Sequence, residues 1–336
     1  MAIKKWVWLV FLLGTTSCAP RAAKTAPPDL VVEEHLLSGA PDISTDQLVF
    51  HFATGDQDQI LARTAPYRDA RNQIIQYNNR VLASFGYRME NYQQSMNGYP
   101  QWYPKIFHGG EEIGHGADWV NPASVNASGT DFIVEVEMAG GSYVLTRDHF
   151  DQRSYPAGIE PEVYVGDRLL SMELAGSGNG GGMANIYLDK NLVYQGKTGF
   201  VIPFGPTDGP WSFNGHWAIV VLVAGPNVQG GQPVIDHVVR DGEDLNTKYG
   251  YDQSFQFAVL DGRPFYFHQK AGKIDLSFDG RDITESFDEV PHYYCCSPAL
   301  LNPHISMNMI WFLARRGQDW YYVEAYDDQS QIASPE

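Results

Sequence analysis

From Trp102 to Tyr326 the chain consists almost entirely of short β-branched and aromatic runs, each closed by Gly, Pro, Asn or Asp. They are FIVEVEM (132–138), SYVLTRD (142–148), EVYVGDRLLSMEL (162–174), NIYL (185–188), HWAIVVLVA (216–224), PFYFHQ (264–269), MIWFLAR (309–315) and WYYVEAY (320–326). Residues of these types fit a pleated, half-buried surface, and the residues between them supply turns. The pattern predicts an all-β, predominantly antiparallel body. With 33 Gly and 20 Pro in 336 residues, connections must be many and short, which argues against a helical bundle or a coiled coil. Hydrophobic residues at 43% are enough for a large core and exclude a disordered chain.

Several of these runs share a preamble. Asn126-Ala-Ser-Gly-Thr-Asp-Phe132, Ser212-Phe-Asn-Gly215-His-Trp217 and Leu260-Asp-Gly262-Arg-Pro-Phe265 each set a turn glycine two or three residues before an aromatic that opens an apolar strand. The aromatics are 85 and 48 residues apart, and Ile310 follows Phe265 after 45. A period of 40–50, with one copy missing or degraded around residue 172, is that of sheets which bury their faces on one another. In this the region 120–326 resembles bacterial β-propeller-like repeat proteins. The resemblance implies a propeller-like array of antiparallel sheets, with a β-sandwich as the alternative, and it carries no functional residue with it.

One helix is expected, from about Pro66 to Phe85. Ile74, Ile75, Val81, Leu82 and Phe85 fall on one face, Arg71, Asn72, Gln76 and Arg80 on the other, and Gly86 offers a stop. Its apolar stripe would pack on the sheets that follow.

The first seventeen residues read as an address. Lys4 and Lys5 precede the apolar run Trp6–Leu13, which is too short to span a bilayer, and small residues lead to Cys18. The segment resembles a bacterial lipoprotein signal, although Thr15 stands where that family favours leucine. The resemblance implies cleavage before Cys18, acyl chains on Cys18, and a membrane partner reached through that lipid at the extracytoplasmic face of the cell envelope. The formal charge is -17, and loss of Lys4 and Lys5 with the signal leaves -19. Such a chain cannot hold a nucleic-acid backbone and repels anionic headgroups. The expected organisation is a signal at 1–17, a flexible tether rich in Ala and Pro at 18–45, a helix-containing segment at 46–119, the propeller-like domain at 120–326 and a tail at 327–336.

Candidate site residues are scattered. His108 and His115 bracket Glu111 and Glu112, but seven residues apart in a glycine-rich segment expected to be loop, so they lack the one-turn helical spacing of a zinc-protease pair. Asp241, Glu243 and Asp244, and also Asp275, Asp279 and Asp282, set carboxylates beside a turn glycine. Calcium uses such oxygens, although Asp-Gly is equally a hairpin signal and neither stretch matches a twelve-residue calcium loop. Trp102, Tyr103 and Trp211, expected on loops, could offer stacking faces to a glycan or a protein partner. The adjacent Cys295 and Cys296 form either two buried thiols, a strained vicinal disulfide or an intermolecular bond, and nearby His292 is only a sequence neighbour. The tract Ala175–Met183 has no phosphate-binding pattern and is expected to be a flexible connection. The chain therefore reads as an exported, lipid-anchored binding or scaffolding module. The alternative is a carbohydrate-active hydrolase with paired carboxylates among Glu111, Glu112, Asp118 and Asp241–Asp244.

Overall fold

Two-residue turns set the geometry of the body. Asn214-Gly215, Asp241-Gly242, Asp261-Gly262, Ala271-Gly272 and Asp279-Gly280 hold both residues at positive φ, between 48° and 85°. This is the mirror-image turn whose twist matches a tight antiparallel hairpin, and glycine enters it without a Cβ clash. The computed structural model describes residues 30–37, 69–96, 99–114, 117–138, 141–152, 159–178, 181–198, 210–224, 234–292 and 302–327.

The described chain begins with β1 (Leu30–Leu36) and α1 (Ala70–Leu82), the latter followed by a 3-10 turn that ends at Gly86. Six antiparallel sheets are formed among the described residues. The first contains β2 (Tyr87–Met96), β3 (Tyr99–His108) and β4 (Glu111–Gly114), and the second β5 (Ala117–Val120), β6 (Ser124–Val125), β7 (Phe132–Met138), β8 (Gly141–Thr146) and β9 (Phe150–Gln152). The third is β10 (Ile159–Val165), β11 (Arg168–Gly178), β12 (Gly181–Leu188) and β13 (Asn191–Thr198). The fourth is β14 (Trp211–Phe213), β15 (His216–Ala224), β16 (Val234–Arg240) and β17 (Glu243–Asp244), and the short helix α2 (Leu245–Tyr249) leaves it. The fifth is β18 (Gln253–Leu260), β19 (Arg263–Lys270), β20 (Lys273–Phe278) and β21 (Arg281–Asp282). The sixth takes β22 (His304–Ile305), β23 (Met309–Arg316) and β24 (Asp319–Asp327) from the end of the chain, and β1 from its start, in the order β1-β24-β23-β22.

Strand periodicity explains why each sheet packs on its neighbours. In β15 Trp217, Ile219 and Val221 join the apolar cluster of the third sheet, while Ala218 and Val220 on the other face join Phe257 and Tyr266 of the fifth. In β19 Phe265 and Phe267 turn instead to Ile310, Phe312 and Val323 of the sixth sheet. Each such fully buried phenylalanine contributes about 1.5–3 kcal/mol of burial. The second and third sheets meet through polar bonds, Tyr164 N–H to Ser124 Oγ at 2.7 Å and Tyr164 OH to Asp131 Oδ2 at 2.9 Å. Helix α1 lies against the first two sheets, burying Ile75 and Leu82, and its Gln73 Oε1 accepts from Met307 N–H beside the sixth at 3.2 Å. Six consecutive sheets packed in series, the last shared by both ends of the described chain, are a propeller-like array; two facing sheets, as a sandwich requires, are not what forms.

Several expectations change in detail. The helix begins at Ala70, because Asp69 caps it by accepting from Asn72 N–H at 3.1 Å; residues 66–68 lie outside the described residues. The copy thought missing near residue 172 is the third sheet, whose turn Gly166-Asp167 is followed by Arg168-Leu169-Leu170, without the aromatic that marks the others. Residues 30–36, within the stretch expected as a tether, form a strand because alternate Leu30 and Val32 pack on the core of the fifth and sixth sheets. Within the segment expected to contain the helix, Tyr87–Met96 and Tyr99–His108 form strands of the first sheet, and Glu111–Gly114, in the stretch expected as loop, forms its third. The glycine tract is likewise carried into β11 and β12, which stay paired out to Gly178 and Gly181, since the ladder needs only backbone groups.

Candidate functional site

The same alternation that buries phenylalanines on one face of the fifth sheet gathers polar groups on the other. Between Phe265 and Phe267 stands Tyr266, followed by His268, and between Ile274, Leu276 and Phe278 stand Asp275 and Ser277. These residues face the fourth sheet, where α2 and the turn Asp241-Gly242 leave a cleft of about 340 Å³. Its walls are Tyr249, Tyr251 and Tyr266, and its charged lining is Arg240, Asp241, Glu243 and Lys248.

Each wall residue is held from behind. The Tyr251 ring stacks on His268 with centroids 4.2 Å apart and planes 15° from parallel. His268, 5% exposed, is fixed in turn by a 2.7 Å contact from Nε2 to Asp282 Oδ1. Asp275, its register partner, accepts from Ser286 Oγ at 2.7 Å. His268, Asp275 and Asp282 bring ligand atoms within 4.8 Å of one another. Their chemistry suits a divalent ion, but the 2.7 Å contact is a hydrogen bond that orients the ring supporting Tyr251. Burial, reinforced by neighbouring Tyr266, pushes the Tyr251 phenol well up, and burial does the same to Tyr266. Both stay protonated at any physiological pH and present neutral hydroxyls. Tyr249, 46% exposed, leans on Tyr251 at the mouth with centroids 5.5 Å apart.

The charges of the lining are matched in pairs. Asp241 takes His216 Nδ1 at 2.8 Å and Trp217 N–H at 3.0 Å, and Glu243 takes Lys248. Beside the cleft, Asp244 takes His237 Nδ1 at 2.7 Å and caps α2 through Thr247 N–H at 3.0 Å. Burial acts to raise the Asp244 carboxyl, but these bonds outweigh it and hold it below its usual range. The three carboxylates proposed for calcium thus point to three different donors. Each of the three is therefore already hydrogen-bonded to a neighbouring side chain.

Other sequence candidates fall elsewhere. Trp102 and Tyr103 are not on a loop but on β3, and Tyr103 is buried, facing Tyr92 across the hairpin with ring centroids 5.8 Å apart. Trp211 is on β14, half-buried against Phe257 at 5.1 Å. Burial removes Tyr103 from any binding face, and Trp211 packs in part against the cluster between the fourth and fifth sheets. His108 ends β3 opposite Glu111, across the turn Gly109-Gly110, and stacks on Tyr87 at 4.2 Å. It lies beside Gly86, which closes the preceding 3-10 turn at a φ of 81°. Glu112 is paired with Lys105 at 3.0 Å, and Asp118 lies on β5. Cys18, His115, Cys295 and Cys296 lie outside the described residues.

The tyrosine cleft was missed by spacing rules because its members come from β16, β17, α2 and β19. The one signal for it is the interruption of apolar strands by polar residues at alternate positions in Tyr266-Phe267-His268 and Ile274-Asp275-Leu276-Ser277.

No protein-family model matches the chain, and no curated protein matches it. Among solved structures it is similar to Pyrococcus horikoshii acylaminoacyl peptidase, at 12% identity and a TM-score of 0.33 over 68% of this chain. That match spans 41% of the peptidase, less than half its length. It is also similar to the β-propeller domain of the Trilobed protease from Pyrococcus furiosus, which has an open velcro topology, at 9% identity and a TM-score of 0.34 over 71% of this chain and 76% of that one. At these scores the likeness carries no functional argument, and the architecture stands on its own strand order.

Proposed function

We propose that the chain is an exported, lipid-anchored binding module whose ligand is a neutral oligosaccharide held in the cleft between the fourth and fifth sheets. The observation that carries this reading is the tyrosine-walled cleft itself. Sugar rings present apolar C–H faces that stack on aromatic side chains, and hydroxyls that both donate and accept. Tyr249 at the mouth, backed by Tyr251, supplies stacking surface, the protonated phenols behind it supply neutral hydrogen-bonding groups, and paired charges of both signs can accept or donate without demanding a charged ligand. An anionic ligand is disfavoured by the surrounding charge of -19 in the mature chain.

The test is titration calorimetry of the full chain with gluco-, galacto- and N-acetylglucosamine oligomers. Saturable binding to at least one series is expected, with Tyr249→Ala weakening it about tenfold or more, the loss of a stacking anchor. Tyr249 is exposed, so its removal leaves the unfolding midpoint nearly unchanged. Binding that Tyr249→Ala leaves intact, or no binding to any of the three series, would refute the reading.

A further inference from the structure

The sixth sheet holds a second cluster, independent of the cleft. Its register sets Glu33 of β1 directly opposite Glu324 of β24, and His35 opposite Tyr322. Odd-numbered positions of β1 share one face, so Glu33, His35, Tyr322, Glu324 and Tyr326 converge there, while Leu30 and Val32 point to the core on the other. Glu324 is fully buried. Like charges directly opposite across a strand pair destabilise it, and a buried carboxylate needs a compensating charge.

His35 Nε2 lies 3.5 Å from Glu33 Oε2 and 3.6 Å from Glu324 Oε2, and the three ligand atoms are within 4.8 Å of one another. Those separations exceed a good N–H···O bond, and the buried Nε2 has no hydrogen-bond partner. They do match the edges of a coordination tetrahedron. Bonds of about 2.0–2.2 Å to a central zinc ion place neighbouring ligand atoms about 3.4 Å apart. Tyr326 OH lies 3.4 Å from Glu33 Oε1, on the side away from the Oε2 that faces His35, and the Tyr322 ring lies beside His35 with centroids 6.1 Å apart. By contrast, the cluster at His268 is closed by a 2.7 Å hydrogen bond.

We propose that Glu33, His35 and Glu324 form a zinc site that clasps the N-terminal strand to the last sheet. One nitrogen and two carboxylate oxygens leave a fourth position for water, and two carboxylates with one neutral imidazole balance the ion's double charge. Calcium is the wrong occupant, since it takes six to eight oxygens and no imidazole. The ion bridges the first and last described strands, so its binding energy adds to closure of the sixth sheet.

The experiment is equilibrium dialysis of the chelator-treated full chain against zinc, read by elemental analysis, with hydrogen exchange of the β1 amides as a second readout. One zinc per chain is expected, with slower exchange at residues 30–36 when it binds. His35→Ala, at a partly exposed position that need not disturb folding, lowers the affinity about 100-fold or more and abolishes that protection. Glu324→Gln keeps the shape of the buried side chain and lowers affinity similarly, while His268→Ala leaves both readouts unchanged. The site is disproved if wild type takes up no stoichiometric zinc, if His35→Ala binds as tightly as wild type, or if His268→Ala is the variant that loses it.

Discussion

His292 shows how much a single side chain can owe to its surroundings. Its ring stacks on Phe255 at 3.6 Å with planes 3° apart; Nδ1 meets Val290 O at 2.6 Å and Nε2 meets Gln253 Nε2 at 2.8 Å. Nδ1 must therefore donate and Nε2 accept, which describes the neutral tautomer. Burial pushes its pKa below the usual histidine value, against the opposing pull of the Val290 carbonyl. A histidine that resists protonation when folded gives stability that is complete above the unfolded pKa of about 6.5 and declines as pH falls below it, until the folded pKa is reached. The slope for one proton is at most about 1.4 kcal/mol per pH unit. Urea unfolding between pH 5 and 8 should show a part of the acid slope that disappears in His292→Phe, which keeps the stack but cannot ionise; an unchanged slope would contradict this. None of it is visible in the sequence, where His292 is only a neighbour of Cys295 and Cys296. The same limit applies to Trp102, Tyr103 and Trp211: their residue type suggests binding, but their strands put Tyr103 and Trp211 into packing.

At the scale of elements, helix α1 is the clearest success of periodicity and also shows where periodicity stops. Ile74, Ile75 and Leu82 are buried as their spacing requires. What the pattern treats as a polar interruption is the centre of the docking surface. Asn78 is fully buried: its Oδ1 accepts from Ala123 N–H at 2.7 Å and its Nδ2 donates to Asn121 O at 3.0 Å. It ties the helix to the loop between β5 and β6. Asn78→Ala takes the acceptor from the buried Ala123 N–H and one donor from Asn121 O, at a cost of about 1–3 kcal/mol. Gln76→Ala on the exposed face should change stability by less than about 0.5 kcal/mol. Chemical denaturation separates the two, and an Asn78→Ala cost below about 1 kcal/mol would mean that packing alone docks the helix.

For the whole molecule the decisive fact is that the first and last described strands share a sheet. Leu30 begins β1 only twelve residues after Cys18, a distance of at most about 43 Å even if fully extended. An anchored body would therefore sit close to its membrane, with a charge of -19 that electrostatic attraction to anionic lipid cannot offset. Acyl chains on Cys18 would have to hold it there. Cell fractionation tests this: the wild type is expected in the membrane fraction and Cys18→Ala in the soluble one. Cys18→Ala that stays with the membrane, with the same mature N-terminal mass as the wild type, would exclude the lipid.

The sequence by itself determined the all-β class, the hairpin turns, the repeating sheet unit and the amphipathic face of α1. Each of these depends on residues within a few positions of one another, through backbone preference or a period of 2 or 3.6. The cleft wall of Tyr249, Tyr251 and Tyr266, its support from His268 and Asp282, and the meeting of Glu33 and His35 with Glu324 were decided only by the tertiary structure. Those groups come together because sheets pack in series and because a strand near the start of the chain pairs with one near its end. The pairing of Glu33 with Glu324 spans 291 positions, and no local pattern encodes a partner that far away.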